Sequence, residues 1–174
     1  MKEEIQIRRG DTVLRIRKIE EKDVPAVREL ELQCFSDPWT ENMLRDMLDS
    51  GLDESLLLET VLSVGECNGA LSGSAEGWTA AGYANVRVLG DEAELMRICI
   101  APDYRGRGWS ATLLKAALQE MLRRGAFAAT LEVRAGNTPA IRLYERHGFQ
   151  KEGLRKNYYR DPVEDAAIYW KRDF

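Results

Sequence analysis

Hydrophobic and polar residues along the chain switch repeatedly between the two-residue alternation of strands and the three- and four-residue spacing of helices. Residues 13–19 alternate as a strand. Asp23 can cap a first helix, and Thr40 starts a second one after Pro38 has interrupted the first. The predicted apolar faces of these helices consist of Val24, Val27, Leu30, Leu32 and Phe35 in the first and of Met43, Leu44, Met47 and Leu48 in the second.

The middle of the chain predicts three strands, over residues 55–67, 79–89 and 94–100. Gly, Ser, Asn and Ala dominate residues 68–77, between the first two of these strands. That composition favours irregular structure, so we expect a long hairpin loop there.

The last part of the chain predicts two more helices around a short strand. The strand covers residues 128–133, and the helix after it runs from Thr138 to a stop at Gly148. No repeat, linker or low-complexity segment divides the chain, so residues 1–174 are expected to form one α+β domain. The other helix follows Ser110, and its inward positions are Leu113, Leu114, Ala117, Leu118, Met121 and Leu122.

The composition is that of an ordinary soluble globular protein, with 44% hydrophobic and 31% charged residues. A net charge of −4 argues against binding to a nucleic-acid backbone. The three cysteines form no Cys-x-x-Cys pair and there is one histidine, so no metal site is recognisable. The chain shows no signal peptide and no long apolar segment, and we expect a cytoplasmic protein that binds neither metal nor membrane.

Two glycines flanked by arginines join the strand 94–100 to the helix after it. In the run Arg105-Gly106-Arg107-Gly108, glycine allows successive backbone N–H groups to point into one concavity. The N-terminus of the following helix, at Trp109 and Ser110, adds unpaired donors and a positive dipole end. This combination suits a pyrophosphate, and the alternative is an ordinary strand-to-helix turn.

Two motifs together resemble the GNAT superfamily of N-acetyltransferases. The first is Arg105-x-x-Gly108-x-Ser110, in which serine replaces the usual last glycine or alanine. The second is Asn137-x-x-Ala140-x-x-Leu143-Tyr144-x-x-x-Gly148-Phe149, which follows about thirty residues later. The resemblance covers roughly residues 13–172. It implies a mixed, largely antiparallel sheet of about seven strands with helices on both faces, and direct acetyl transfer from acetyl-CoA.

The same resemblance implies how acetyl-CoA is bound. Backbone N–H groups of Arg105, Gly106, Arg107, Gly108, Trp109 and Ser110 hold the pyrophosphate. The backbone of Ile98, Cys99 and Ile100 pairs edge-on with the pantetheine arm, to which Asn137 also hydrogen-bonds.

Further residues look like the ribosomal-protein-alanine N-acetyltransferases, the RimI type. They are Phe35-x-x-Pro38-Trp39-Thr40, Leu131-Glu132-Val133-Arg134 with Asn137, and Asn157-Tyr158-Tyr159 followed by Glu164-Asp165-Ala166. This resemblance implies acetylation of the N-terminal α-amine of alanine in a small-subunit ribosomal protein. Arg97 and Cys99 depart from the Asn and Ala more usual in this group, and the 68–77 loop is longer.

Glu132 and Tyr144 are the candidate catalytic residues. An α-amine, with a reference pKa of about 7.7–8.0, must lose a proton before it attacks a thioester. Glu132 interrupts an apolar strand, where a carboxylate is costly unless it has a partner or a cleft, and the matching glutamate is the base in the RimI type. The alternative is a structural pair with Arg134 or Arg97. Tyr144 matches the tyrosine that is the usual general acid in the superfamily, and the alternative is a core tyrosine.

Three aromatic residues are candidates for binding the acceptor. Trp39 lies in the turn between the first two helices, where it either staples them together or forms one wall of a substrate groove. Tyr158 and Tyr159 either line the peptide groove or close the C-terminal strand pair. A GNAT enzyme acting on a small amine or antibiotic, and a non-catalytic acyl-CoA sensor, remain the alternative functions.

Overall fold

The computed structural model describes residues 5–9, 12–61 and 77–173. These residues form eight strands and four helices, with single 3-10 turns at Glu21–Asp23 and Pro102–Tyr104. In chain order these elements are β1 (Ile5–Arg9), β2 (Thr12–Lys18), α1 (Val24–Cys34), α2 (Glu41–Asp49), β3 (Asp53–Val61), β4 (Thr79–Leu89), β5 (Glu92–Ile100), α3 (Trp109–Arg123), β6 (Ala128–Arg134), α4 (Thr138–Arg146), β7 (Gln150–Arg160) and β8 (Val163–Arg172).

All eight strands form one sheet, in the order β1-β2-β3-β4-β5-β6-β8-β7. Every neighbouring pair is antiparallel except β5–β6, which is parallel. The sheet has eight strands where about seven were predicted, and the additional strand is β1, which pairs with β2 ahead of the first predicted strand. The strand predicted over 55–67 starts at Asp53 and is described to Val61, while the predicted loop at 68–77 lies outside the described residues apart from Gly77.

Helices cover both faces of the sheet, as predicted. Arg17 and Lys18 are neighbours on β2 and therefore point to opposite faces. The Arg17 guanidinium bonds Asp23, directly before α1, at 2.6 and 2.8 Å, while Lys18 lies 3.8 Å from Glu120 of α3. No helix among the described residues has both the length and the apolar character that crossing a bilayer requires.

The inward faces of the helices differ from the predicted ones at four positions. Leu32, Met43 and Leu122 are about half exposed, at 52%, 46% and 46%. On α1 the buried position belongs instead to Glu31, which is 0% exposed. Glu31 lies seven residues after Val24 and so falls on the same helix face, whereas Leu32 is rotated by about 100° away from it.

Candidate active site

The central feature of the site is an opening in the sheet between β5 and β6. These two strands are paired only from Glu92↔Ala128 to Leu95↔Leu131. Beyond that point β5 still pairs with β4, and β6 still pairs with β8, but the facing edges of β5 and β6 are unpaired. Residues 96–100 therefore present a free strand edge, and Glu132 is the first β6 residue past the last paired position.

The loop after β5 has the form that anion binding requires. Gly106 and Gly108 have φ angles of 76° and 75°, in the left-handed region that glycine adopts without strain. Gly108 is the N-cap of α3, and no side chain caps this helix, whose first turn contains no acidic residue. The unpaired N–H groups of the first turn are thus left for an external acceptor.

The side chains around this loop are largely engaged within the protein. The Trp109 ring is buried and stacks on Tyr104 at a centroid distance of 5.4 Å, and the guanidinium of Arg107 lies 5.6 Å from that indole. Nε of Arg105 donates to the Ile100 carbonyl at 3.0 Å. Arg105 and Trp109 are therefore held by the protein through their side chains, and what these two residues offer a ligand is their backbone N–H groups.

Glu132 has a different ionic partner from either of those predicted. Its carboxylate lies 3.1 Å from Nε of Arg155 on β7, and the Tyr158 hydroxyl donates a hydrogen bond to it. That hydrogen bond, together with burial, raises the pKa of Tyr158. Neither Arg134 nor Arg97 pairs with Glu132, and the carboxylate side chain keeps 18% of its surface exposed. The predicted structural pair of Glu132 with Arg134 or Arg97 is therefore wrong, since the ionic partner is Arg155. The Glu132 carboxylate is still partly exposed at the opening.

An irregularity in β7 brings its residues over Glu132. The register with β8 shifts between Arg155↔Ala166 and Tyr159↔Glu164, so three residues of β7 face one residue of β8. The bulge is held by Asp165, whose carboxylate accepts a hydrogen bond from the backbone N–H of Asn157 at 2.8 Å. A bulge of this kind redirects side chains that a regular strand would point elsewhere.

Arg134 joins three segments next to the opening. Its guanidinium pairs with Glu164 at 3.1 Å, donates to Oγ of Ser36 at 2.9 Å, and lies 4.2 Å from the Tyr159 ring centroid. Glu164 also accepts a hydrogen bond from the backbone of Gly136 at 2.6 Å. The Glu164-Asp165 pair in the sequence motif therefore has a structural role.

Tyr144 of α4 lies on the same side of the opening. Burial raises the pKa of Tyr144, and the nearby Tyr159 raises it further. The Tyr144 ring packs edge-on against Phe149, with 5.9 Å between the ring centroids. Burial and the charge of Glu132 raise the pKa of Tyr159 as well. Tyr158 and Tyr159 thus interact with Glu132, and Tyr144 interacts with Tyr159. Because the pKa values of all three tyrosines are raised, their phenols stay protonated at neutral pH.

Trp39 is fixed by a buried network that the sequence analysis missed. The fully buried Glu31 accepts hydrogen bonds from the Trp39 backbone N–H at 2.6 Å and from the Tyr83 hydroxyl. The Arg97 guanidinium lies 3.7 Å from Glu31, and 4.7 Å and 4.4 Å from the ring centroids of Trp39 and Phe35. The backbone of Trp39 is accordingly held against α1, and its ring lines a cleft beside α2. Glu31 at a buried helix position was the signal that could have revealed this network.

The remaining predicted cofactor residues lie at the edges of the opening. Asn137 caps α4, with its side-chain oxygen accepting from the Ala140 N–H at 3.3 Å. The side chain of Cys99 is buried next to Cys34. The hydrogen bond between the two thiols, together with the hydrogen bond and the charge of Arg105, lowers the pKa of Cys34 to about 7. Ile98 and Ile100 pair with β4, at Ala84 and Gly82. What these strand residues offer a ligand is their backbone.

Comparison with known proteins agrees with this architecture. The sequence profile described as the Acetyltransferase (GNAT) family matches residues 24–149. The ribosomal protein bS18-alanine N-acetyltransferase of Escherichia coli K12 is 34% identical over 155 residues, covering 88% of this chain and 93% of that protein. The N-alpha-acetyltransferase RimI of Mycobacterium tuberculosis is 34% identical over 150 residues, covering 83% of each chain.

A solved structure extends the similarity to three dimensions. The crystal structure of the ribosomal-protein-S18-alanine N-acetyltransferase from Escherichia coli matches with a TM-score of 0.75 at 31% identity. The match covers 92% of this chain and 94% of the other. The resemblance drawn from two short motifs is thereby confirmed at the level of the whole fold, and this protein is an acetyltransferase of the GNAT family.

Proposed function

We propose that this acetyltransferase transfers the acetyl group of acetyl-CoA to the N-terminal α-amine of a small-subunit ribosomal protein that begins with alanine. The observation that carries the proposal is the position of Glu132 directly after the last β6 residue that pairs with β5, where it interacts with Tyr158 and Tyr159. The names of the relatives from Escherichia coli support the choice of acceptor. We also propose that the chain is a single cytoplasmic domain.

The residues present fit coenzyme A. The uncapped N-terminus of α3 and the two left-handed glycines suit a pyrophosphate, for which Arg105 to Ser110 provide backbone donors. Residues 98–100 have a free strand edge for the amides of a pantetheine arm, and the amide of Asn137 can reach the same opening while its oxygen caps α4. When bound, acetyl-CoA supplies an acetyl group activated as a thioester.

Glu132 is proposed to act as the general base. Formation of the amide requires the attacking nitrogen to lose a proton, and this carboxylate accepts it directly or through one water molecule. Arg155 and Tyr158 fix the orientation of the carboxylate through its contacts at β7. The C–N bond forms as the C–S bond of the thioester breaks. The nitrogen gives up two protons on passing from ammonium to amide, and Glu132 passes them on to solvent. Solvent returns one of them to Tyr144 after this residue has protonated the thiolate, so both groups are restored for the next turnover.

Tyr144 is proposed to act as the general acid. A thiolate leaves when the C–S bond breaks, and the phenol O–H can protonate it. Because burial raises the pKa of Tyr144, the hydroxyl carries its proton throughout the neutral range. No charged residue accepts a hydrogen bond from Tyr144 among the described contacts, which leaves this donor for the sulfur.

The acceptor peptide is proposed to enter between the α1–α2 turn and the β7 bulge. Trp39 forms one side of this groove, and Tyr158 and Tyr159 form the other. The hydrogen bond that Arg134 donates to Ser36 connects the two sides of the groove. An extended N-terminus lying there would present its amine to Glu132.

Intact-mass spectrometry on two peptides tests the proposal. The first begins Ala-Arg, has a free N-terminus and contains an internal lysine, and the second differs only in a blocked N-terminus. We expect one added acetyl group on the first peptide and none on the second. Modification of both would point to the lysine side chain, and modification of neither, with acetyl-CoA still bound, would favour a small amine acceptor or a sensor.

A further inference from the structure

Two cysteines from different elements meet next to the opening in the sheet. Cys34 is the last residue of α1, and Cys99 is the last but one of β5. The two free thiols share a hydrogen bond, and Sγ of Cys34 also lies 3.6 Å from the Ile100 carbonyl oxygen. Cys99 stands where the RimI type more usually has alanine, so the resemblance assigns no role to this pair.

Cys34 has the features of a reactive thiol. Its side chain is half-buried, and Nη2 of Arg105, an exposed residue, lies 3.7 Å from Sγ. The hydrogen bond from Cys99, followed by the hydrogen bond and the charge of Arg105, lowers the pKa of Cys34 to about 7, although burial and the charge of Glu31 act in the opposite direction. A large fraction of Cys34 is therefore thiolate at neutral pH, and the thiolate is the form that attacks an oxidant.

Cys99 is suited to be the second thiol of a reactive pair. It is buried, and burial together with the neighbouring Cys34 raises its pKa well above the ordinary value. Cys99 therefore keeps its proton and donates it in the hydrogen bond to Cys34. An accessible cysteine of low pKa in contact with a second cysteine is the arrangement found in proteins that sense oxidants.

The position of the pair connects it to the proposed cofactor site. Cys99 lies in the middle of the free edge 98–100, and Arg105 is the first residue of the pyrophosphate loop 105–110. On its other side β5 has no room to move, because a Cβ on Gly82 would already overlap the Cys99 carbonyl oxygen. A disulfide fixes the separation and the dihedral angle of the two side chains that it joins. A disulfide between Cys34 and Cys99 would therefore displace the free edge and remove the thiolate that contacts Arg105.

We propose that Cys34 and Cys99 form a reversible disulfide when the protein is oxidised by hydrogen peroxide, and that this disulfide weakens the binding of acetyl-CoA. The second part rests on the proposed function, because it takes residues 98–100 as the pantetheine site.

The oxidation proceeds in two steps. The Cys34 thiolate attacks one oxygen of the peroxide, the O–O bond breaks, and a sulfenic acid forms on Cys34. The hydroxide released takes up the proton that Cys34 had lost and becomes water. The Cys99 sulfur then attacks the Cys34 sulfur and displaces its hydroxyl group, which leaves as water with the Cys99 proton. Two thiols thus give two electrons to one peroxide, and the products are one disulfide and two water molecules.

Peptide mapping tests the disulfide. The reduced full-length protein is treated with an equimolar amount of hydrogen peroxide, alkylated and digested. We expect a pair of peptides linked through Cys34 and Cys99 with the loss of two hydrogens, and dithiothreitol should separate them. In Cys99→Ala the reaction should stop at the sulfenic acid of Cys34, which dimedone traps.

Calorimetric titration with acetyl-CoA, without any acceptor peptide, tests the consequence for binding. Oxidation should raise the Kd of the wild type by about 10-fold, the effect of losing about one hydrogen bond to the ligand, and dithiothreitol should restore it. Cys34→Ser keeps a hydroxyl group for the contacts with Arg105 and Ile100, so its Kd should equal that of the reduced wild type before and after oxidation. Cys67→Ser is the matched control, because it removes the remaining cysteine of the chain, and it should respond to peroxide as the wild type does.

The failures of the two proposals are distinguishable. A wild type in which peroxide links Cys67, or forms no link between Cys34 and Cys99, would overturn the disulfide. Equal Kd values for the oxidised and reduced wild type, or the same increase in Cys34→Ser, would overturn its effect on acetyl-CoA. Reduced protein that binds acetyl-CoA but acetylates no alanine peptide would overturn the proposed acceptor alone, since neither the mapping nor the titration uses an acceptor.

Discussion

At the scale of single residues, the Tyr144 hydroxyl is the most direct test of the proposed chemistry. Tyr144→Phe removes one oxygen from a buried ring and leaves the packing against Phe149 in place. We expect kcat to fall by about 10²-fold or more, the usual contribution of a general acid, with little change in the Kd for acetyl-CoA. Stopped-flow or steady-state thiol release measures kcat, and calorimetric titration measures Kd. Unchanged turnover would remove Tyr144 as the acid.

The Glu132 carboxylate is tested through pH. Glu132→Gln should reduce kcat/KM most at low pH, where the acceptor amine is protonated and needs a base. The reduction should become smaller as the pH rises above the reference pKa of the α-amine, about 7.7–8.0. The substitution also breaks the ion pair with Arg155. Arg155→Met breaks the same ion pair but keeps the Glu132 carboxylate. The kcat/KM of this variant should therefore be only slightly below that of the wild type, by the same factor at all pH values. Parallel pH profiles for both variants would instead indicate a structural role for Glu132.

Residue identity was easier to predict than residue environment. Glu132 and Tyr144 were singled out from sequence motifs, and they lie in the two regular elements β6 and α4 that the sequence predicts. The ionic partner of Glu132 could not be predicted, because Arg155 lies on another strand, β7, next to the bulge in that strand. Glu31 was overlooked because its charge argued against burial, although its helix phase matched that of Val24.

At the scale of the elements, the contact between β4 and β5 supports the free edge on which the cofactor proposal depends. A Cβ on Gly82 would overlap the backbone carbonyl oxygen of Cys99 and lie 2.7 Å from Cδ1 of Ile100. Gly82→Ala should therefore push β5 away and lower the free energy of unfolding by about 1–3 kcal/mol. It should also weaken acetyl-CoA binding, because residues 98–100 would shift.

Gly51→Ala is the control for that substitution, since no atom lies within 4 Å of the added methyl group and its φ is not in the left-handed region. Chemical denaturation should give a free energy of unfolding near that of the wild type for this variant. Equal stability of both variants would show that β4 and β5 can separate without cost, and the edge would then not be fixed by Gly82.

Element type and order were largely readable from the sequence, whereas the irregularities were not. The strand at Thr79–Leu89 and the helix at Thr138–Arg146 have the predicted limits because turn residues bound them clearly. The strand β1 lacks such signals and is defined by its pairing with β2. Bulges and the early end of the β5–β6 pairing arise from contacts between distant segments, so no local pattern announces them.

At the scale of the whole molecule, the sheet consists of two parts, β1–β5 and β6–β8, that are directly paired over only four residues of each strand at the β5–β6 junction. A pantetheine arm in the opening would add backbone pairing there. Coenzyme A should therefore slow amide hydrogen exchange in segment 96–100 and in the loop 105–110. Adenosine 3′,5′-bisphosphate, which has no pantetheine arm, serves as the control and should leave exchange in segment 96–100 unchanged.

Thermal stability alone does not separate these ligands. Any ligand present at 100 times its Kd stabilises the folded state by about 2.7 kcal/mol, whatever part of the molecule it contacts. The location of the protected amides is informative instead, because protection follows the hydrogen bonds that the ligand makes. If coenzyme A left segment 96–100 exchanging as fast as in the free protein, the open edge of β5 would not be its binding site. The pyrophosphate loop would then have to anchor the ligand without the sheet, and the proposed alignment of the thioester with Glu132 and Tyr144 would lose its support.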